Sequence, residues 1–238
     1  EGDELILWAE GVVTQGAVFA EHLELHRRIE ITAGTNDIRL SDRVVNRGFY
    51  RTPHMFCYHI NVGHPLLDEG ARYVAPIHDV VWAAHADSYD AQGVGYRDMP
   101  APQMNFHEQV WQHDMAADAE GRVPVALVND RLGLGFMVTT RKDQFPCQYE
   151  WQNLQAGQYA VGIEPSSHHV LGNQAARDRG EMIWLEHGDA RSYDTVFSIL
   201  PDADAVADAE ARIRAISDQP DQAYPATSGQ FRALEGRE

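Results

Sequence analysis

Cysteine is nearly absent from this chain. Of 238 residues only Cys57 and Cys147 are cysteines, too few for a disulfide framework, and two widely spaced thiols suit a reducing compartment, so a cytoplasmic protein is expected. Basic residues are also scarce, with 19 Lys and Arg against 36 Asp and Glu and a net charge of −17. Nucleic acids and anionic membranes are held by clustered Lys and Arg, so this balance argues against both as partners. It suits a small neutral ligand. No apolar run is long enough to cross a bilayer. The chain has no Gly-x-Ser-x-Gly elbow, no Walker loop and no Gly-x-Gly-x-x-Gly turn, which argues against the matching hydrolase, nucleotide and dinucleotide chemistries. His59, His64, His168 and His169 with Glu164 offer metal donors, but no His-x-His, His-Glu-x-x-His or cysteine pair spaces them as ligands. No metal or other cofactor is expected.

What the sequence does contain is strands. Runs such as "HLELHRRIEIT", "DIRLSDRVVNRG", "HMFCYHINVG", "VPVALVND", "LGFMVTTRK", "YAVGIEPS" and "RSYDTVFSIL" recur every 8–15 residues with turn signals between them. "TAGTND" and "NDRLG" read as hairpin turns, because Gly, Asn and Asp tolerate unusual backbone angles. With 44% hydrophobic residues to fill a core, so many strands without helical spacing between them predict an antiparallel all-β sandwich. A single short helix is expected at 202–216, "DADAVADAEARIRAI", with aspartate at its start. Residues 1–216 then form one domain, and 217–238 a polar tail draped on the surface or disordered. The opening "ELILWAEGVV" starts inside strand-like sequence without an initiator methionine, so N-terminal strands are expected to be missing. The span 64–103 reads as a long irregular loop with four prolines and the acidic, aromatic "HADSYDAQGVGYRD".

Three stretches carry candidate chemistry. In "HMFCYHINVGHPLLDEG", alternation puts Phe56, Tyr58, Ile60 and Val62 on an apolar core face and Cys57, His59 and Asn61 on the other. His59 beside Asn61 reads as a proton donor held by its neighbour, or as a half-buried histidine satisfied by backbone. In "NFHEQVWQH", His107, Gln109 and Trp111 fall on one face with Asn105 and His113. Imidazoles, amides and an indole in a row suit sugar hydroxyls and a sugar's apolar C–H face, and a solvent-facing strand is the plainer alternative. In "AVGIEPSSHHV", Ala160 and Gly162 precede Glu164 on one face and Pro165 is expected to end the ladder. Two minimal side chains would let a flat ligand approach, and a partly desolvated carboxylate at the end of the row is a candidate general base.

With these residues in place, the chain resembles the aldose 1-epimerase (galactose mutarotase-like) superfamily, and in particular a bacterial branch known as a domain of unknown function. "DRVVNRGFYRTPHMFCYHINVGHPLL" is similar to the segment in which a Thr-Pro turn leads to a strand bearing the catalytic histidine and an asparagine. "GQYAVGIEPSSHHV" is similar to the strand bearing the catalytic glutamate. The resemblance spans roughly residues 5–200 and implies a twisted antiparallel β-supersandwich with an open sugar cleft. It implies Glu164 as base on the anomeric hydroxyl and His59 as acid on the ring oxygen, with Asn61 and His64 beside the sugar and no cofactor. In better-known epimerases the histidine lies four residues before the asparagine, where this chain has Cys57, so His64 stands as the substitute for His59. A second histidine and a sugar-binding arginine of the family would come from sequence preceding this chain. His107, Gln109 and Trp111 are read from the residues, not from the resemblance.

The expected function is thus a carbohydrate isomerase of the mutarotase kind, possessing a small sugar as partner and room for self-association. Two alternatives stay open: a non-catalytic carbohydrate-binding module, and a lyase or isomerase acting on a modified sugar.

Overall fold

The fold is described from a computed structural model, for residues 4–84, 93–217 and 227–234. Fourteen strands fall into three antiparallel sheets. The largest runs β1 (Ile6–Gly16), β2 (His22–Thr32), β3 (Asp37–Asn46), β14 (Ala190–Leu200), β10 (Leu134–Arg141), β9 (Arg122–Asn129) and β6 (Arg72–Val74). The second runs β5 (Ile60–Gly63), β12 (Ala160–Ser166), β11 (Cys147–Asn153), β8 (Gln109–Met115) and β7 (Ile77–Ala84). A short pair, β4 (Thr52–His54) and β13 (Ile183–Leu185), completes them.

The core lies between the two large sheets. Val123, Val125, Leu127 and Val138 from one sheet pack with Val62, Trp111, Val161 and Ile163 from the other, each aliphatic side chain contributing about 1.5–3 kcal/mol by leaving water. The all-β expectation holds, and both hairpin turns fall where the sequence places them, between β2 and β3 and between β9 and β10. Helix α2 (Ala203–Ile216) forms as expected. The Asp202 carboxylate caps it by accepting from Ala205 N at 2.8 Å, and Val206, Ala209 and Ile213 pack onto the outer face of the larger sheet.

Four expectations need correction. The span 64–103 is not all loop, since it supplies β6 and β7; its stretch 85–92 lies outside the described residues. A six-residue helix, α1 (Asn173–Asp178), precedes β13. The run 54–63 is not one strand. It breaks at 55–59, so that β4 joins β13 and β5 joins β12. Nor does Pro165 end its ladder: β12 continues to Ser166, because Pro165 lacks only the donor and its carbonyl still accepts from Tyr58 N at 3.0 Å. Of the tail, residues 227–234 lie along the surface, with Ser228 N and Gly229 N donating to Val80 O and Val81 O.

Candidate active site

The outward face of the second sheet carries the site, and strand register builds it. Asn61 on β5 stands opposite Gly162 on β12, which stands opposite Trp151 on β11. In the next row Glu164 stands opposite Tyr149, and Tyr149 opposite Gln112 on β8. Cross-strand partners share a face, so Asn61, Gly162, Trp151 and Glu164 all point away from the core. The residues between them, Val161 and Ile163, are fully buried on the inner face.

His59 precedes β5 in the irregular segment and turns its ring toward β12. Its Nε2 lies 2.9 Å from Glu164 Oε1, the histidine side chain 53% exposed and the carboxylate 12%. The contact is at ion-pair distance without hydrogen-bond alignment, and the buried Oε1 has no hydrogen-bond partner among the described residues. On the other side of the ring, His59 Nδ1 is 2.8 Å from Asn61 Oδ1. A carboxamide oxygen only accepts, so Nδ1 donates and Nε2 is left facing the carboxylate. Burial is the largest influence on Glu164 and lifts it above the ordinary carboxylate range; His59 pulls it down and Glu108 pushes it up. When ionised it is therefore a stronger base than a surface glutamate.

Gly162 answers to Glu164 itself. The carboxylate folds back over the strand, and a Cβ at 162 would sit 2.6 Å from Glu164 Oε1 and 3.2 Å from Trp151 Cβ. The small residue makes room for the base, where the sequence suggested room for a flat ligand. Trp151 stands beside the pair, its ring meeting His59 edge-on at a centroid distance of 5.4 Å. Its indole N–H donates to Glu108 Oε2 at 2.9 Å.

Of the residues the sequence singles out, the structure brings Glu164, His59 and Asn61 together in one place. His64 lies in the exposed turn after β5, ahead of a cis bond to Pro65, and it is His59 that contacts Glu164. The structure turns Gln109, Trp111 and His113 inward, the reverse of the expected orientation. Trp111 is 0% exposed within the core and Gln109 is buried beside it, on the side of the sheet opposite Glu164. His107 is exposed in the loop before β8. The residues turned outward here are Glu108, Val110 and Gln112, the alternate set; of these Glu108 reaches Trp151. Neither Glu108 nor Trp151 was singled out from sequence. The alternation grouped the residues correctly, but polar side chains on both faces hid which face was inside. Among the described residues no group of three His, Cys, Asp or Glu could hold a metal, and no helix is long and apolar enough to cross a membrane.

A family model described as a domain of unknown function, DUF4432, matches residues 1–199. The chain belongs to this family. Among curated proteins none matches the sequence. The DUF4432 chain superposes on a candidate aldose 1-epimerase from Klebsiella pneumoniae with a TM-score of 0.83 at 23% identity, covering 95% of this chain and 59% of that one. A galactose mutarotase-like protein from Clostridium acetobutylicum matches with a TM-score of 0.55 at 11% identity, covering 84% and 63%. A candidate aldose 1-epimerase from Escherichia coli K12 gives 0.50 at 14%, covering 83% and 65%. The chain thus spans about 59% of the Klebsiella protein's length. At these identities the likeness is one of fold: DUF4432 here is a galactose mutarotase-like β-sandwich.

Proposed function

We propose that this chain carries the acid/base centre of a sugar isomerase of the mutarotase kind, acting on a small free sugar in the cytoplasm. One observation supports the reading above the rest: a raised, partly desolvated carboxylate and an imidazole of assigned tautomer meet at 2.9 Å on an open face.

The chemistry needs both groups on one ring. Glu164 removes the proton from the anomeric hydroxyl as the C1–O1 bond becomes a carbonyl. The C1–ring-oxygen bond breaks, and the ring oxygen takes the proton from His59 Nε2. Rotation about C1–C2 turns the other carbonyl face inward. Reclosure then returns one proton to His59 and the other from Glu164 to the new hydroxyl. No electrons are exchanged with the enzyme, so the residues present supply every proton. Asn61 fixes the rotation of the His59 imidazole, and Gly162 seats the base.

Proton NMR of freshly dissolved α-anomers, with and without protein, tests this. The expected result is faster approach to the anomeric equilibrium, lowered about 10²–10⁴-fold in Glu164→Gln. Sugar binding without faster interconversion would move the assignment to a carbohydrate-binding module.

A further inference from the structure

Two residues on the outward face of the second sheet are buried although they point away from the core. Tyr149 is 2% exposed and Gln112 3%, and Tyr149 stands opposite Glu164 in the strand register. The turn after β12 covers them, and residues 227–234 lie beyond it. One hydrogen-bond chain joins sheet, turn and tail, and the chemistry of its two ends sets the direction of every link. The Val170 N–H can only donate, so the Tyr149 hydroxyl accepts it at 2.6 Å and gives its own proton to Gln112 Oε1 at 2.9 Å. Gln112 then turns its amide N–H toward His169 Nδ1 at 2.7 Å, a nitrogen that also lies 3.5 Å from the Cys147 thiol. Nδ1 must accept, so the ring proton sits on Nε2, which donates to the Arg232 carbonyl at 3.1 Å. Burial pulls His169 below its ordinary value, which keeps Nδ1 free to accept. The tail is fastened on both sides of this link. The Phe231 ring meets His169 edge-on at 5.0 Å and lies 5.7 Å from the Arg179 guanidinium. Arg179 is held by Glu181, whose Oε1 accepts from Leu234 N at 3.4 Å. At the near end, Ser228 Oγ donates to Asp79 Oδ2 at 2.6 Å.

We propose that residues 227–234 form a strap that completes the active site, with His169 as the positioning residue that ties the strap, through Gln112, to the tyrosine beside Glu164. This rests on the acid/base reading above. His169 acts through Tyr149 and not on the sugar. Burial is the largest influence raising Glu164, and Tyr149 is its cross-strand neighbour on the same face. While the chain of bonds is closed, Tyr149 stays packed and the carboxylate stays shielded. Releasing the strap lets water into the Tyr149 row, so Glu164 falls toward the ordinary carboxylate value and becomes a weaker base.

Amide hydrogen exchange on the full chain reads the strap, and the pH profile of glucose anomer interconversion reads the base. Phe231→Ala, which alters only the tail, should speed exchange of the Ser228, Gly229 and Leu234 amides about tenfold or more. It should also lower kcat about tenfold with KM changed less than about twofold, and move the acid limb of the kcat/KM profile down by about half a pH unit. Tyr149→Phe should give the same kinetic changes with the strap amides still protected, and His169→Ala should give both effects at once. Strap amides as slow in His169→Ala as in wild type would overturn the tie through His169. Strap amides set free in Phe231→Ala, with kcat and the acid limb unmoved, would overturn the positioning role alone. A folded wild type that speeds no anomer interconversion would overturn the acid/base reading and the positioning role with it, while exchange in His169→Ala still decides whether His169 holds the strap.

Discussion

At the scale of single residues, Gly162 is the sharpest probe of the site. An alanine there brings a methyl group against the flexible end of Glu164 and against the Cβ of Trp151. The carboxylate can swing away at small cost, so stability should change by less than about 1 kcal/mol, but the base leaves its seat. Gly162→Ala should therefore lower turnover about 10²-fold, the loss that displacements near 1 Å produce. Urea denaturation and anomer kinetics on the same sample check both halves. An active Gly162→Ala protein would mean that the seating of Glu164 over the strand has no bearing on function.

Among the elements, β8 shows what a sequence reveals and what it hides. Period-two alternation sorted its residues into the two sets that the sheet separates. Which set faces inward depends on partners far along the chain, here Gln148, Glu150 and Gln152 on β11. The inner set is unusually polar: His113 lies 3.2 Å from Glu150 with both side chains fully buried, and Gln152 donates to the same carboxyl at 2.8 Å. Burial drives Glu150 well above and His113 to about 3, so both sit there uncharged. Such a row looks like a binding surface in the sequence. On β12 and β5 the inner sets are plainly apolar, so the outward residues Glu164 and Asn61, with His59 just ahead of β5, stand out from the sequence. The break at 55–59 does not, because nothing local marks the change of partner from β13 to β12. Trp111→Ala should behave as a core lesion, costing about 3–5 kcal/mol with little change in KM once folded. A selective rise in KM without loss of stability would restore Trp111 to the ligand surface.

Over the whole molecule, the strongest pH dependence comes from buried histidines. Burial holds His54 at about 4, His113 at about 3 and His168 at about 4. On unfolding each takes a proton at its ordinary value of 6.5, so stability falls as pH drops from 6.5 toward those values. Glu150 and Glu164 act in the opposite sense. Their raised values favour the folded chain at low pH, and that contribution is lost as pH rises through them. Burial lowers His169 as well, so among the described residues four histidines outweigh these two glutamates, and stability should fall as pH drops below 6.5. The urea midpoint should drop steadily between pH 6.5 and 4.5. A flat or rising midpoint over that interval would contradict the buried, neutral assignment of these histidines.

The central claim is that Glu164 and His59 act as one unit on one ring, and a double-mutant cycle on anomer interconversion tests it most directly. Rates would be measured by NMR for wild type, Glu164→Gln, His59→Gln and the double variant. Each single change should cost about 10²–10⁴-fold, and the double variant should be little worse than the poorer single one, because removing either partner disables the same step. Both single variants turning over at the wild-type rate would contradict the account.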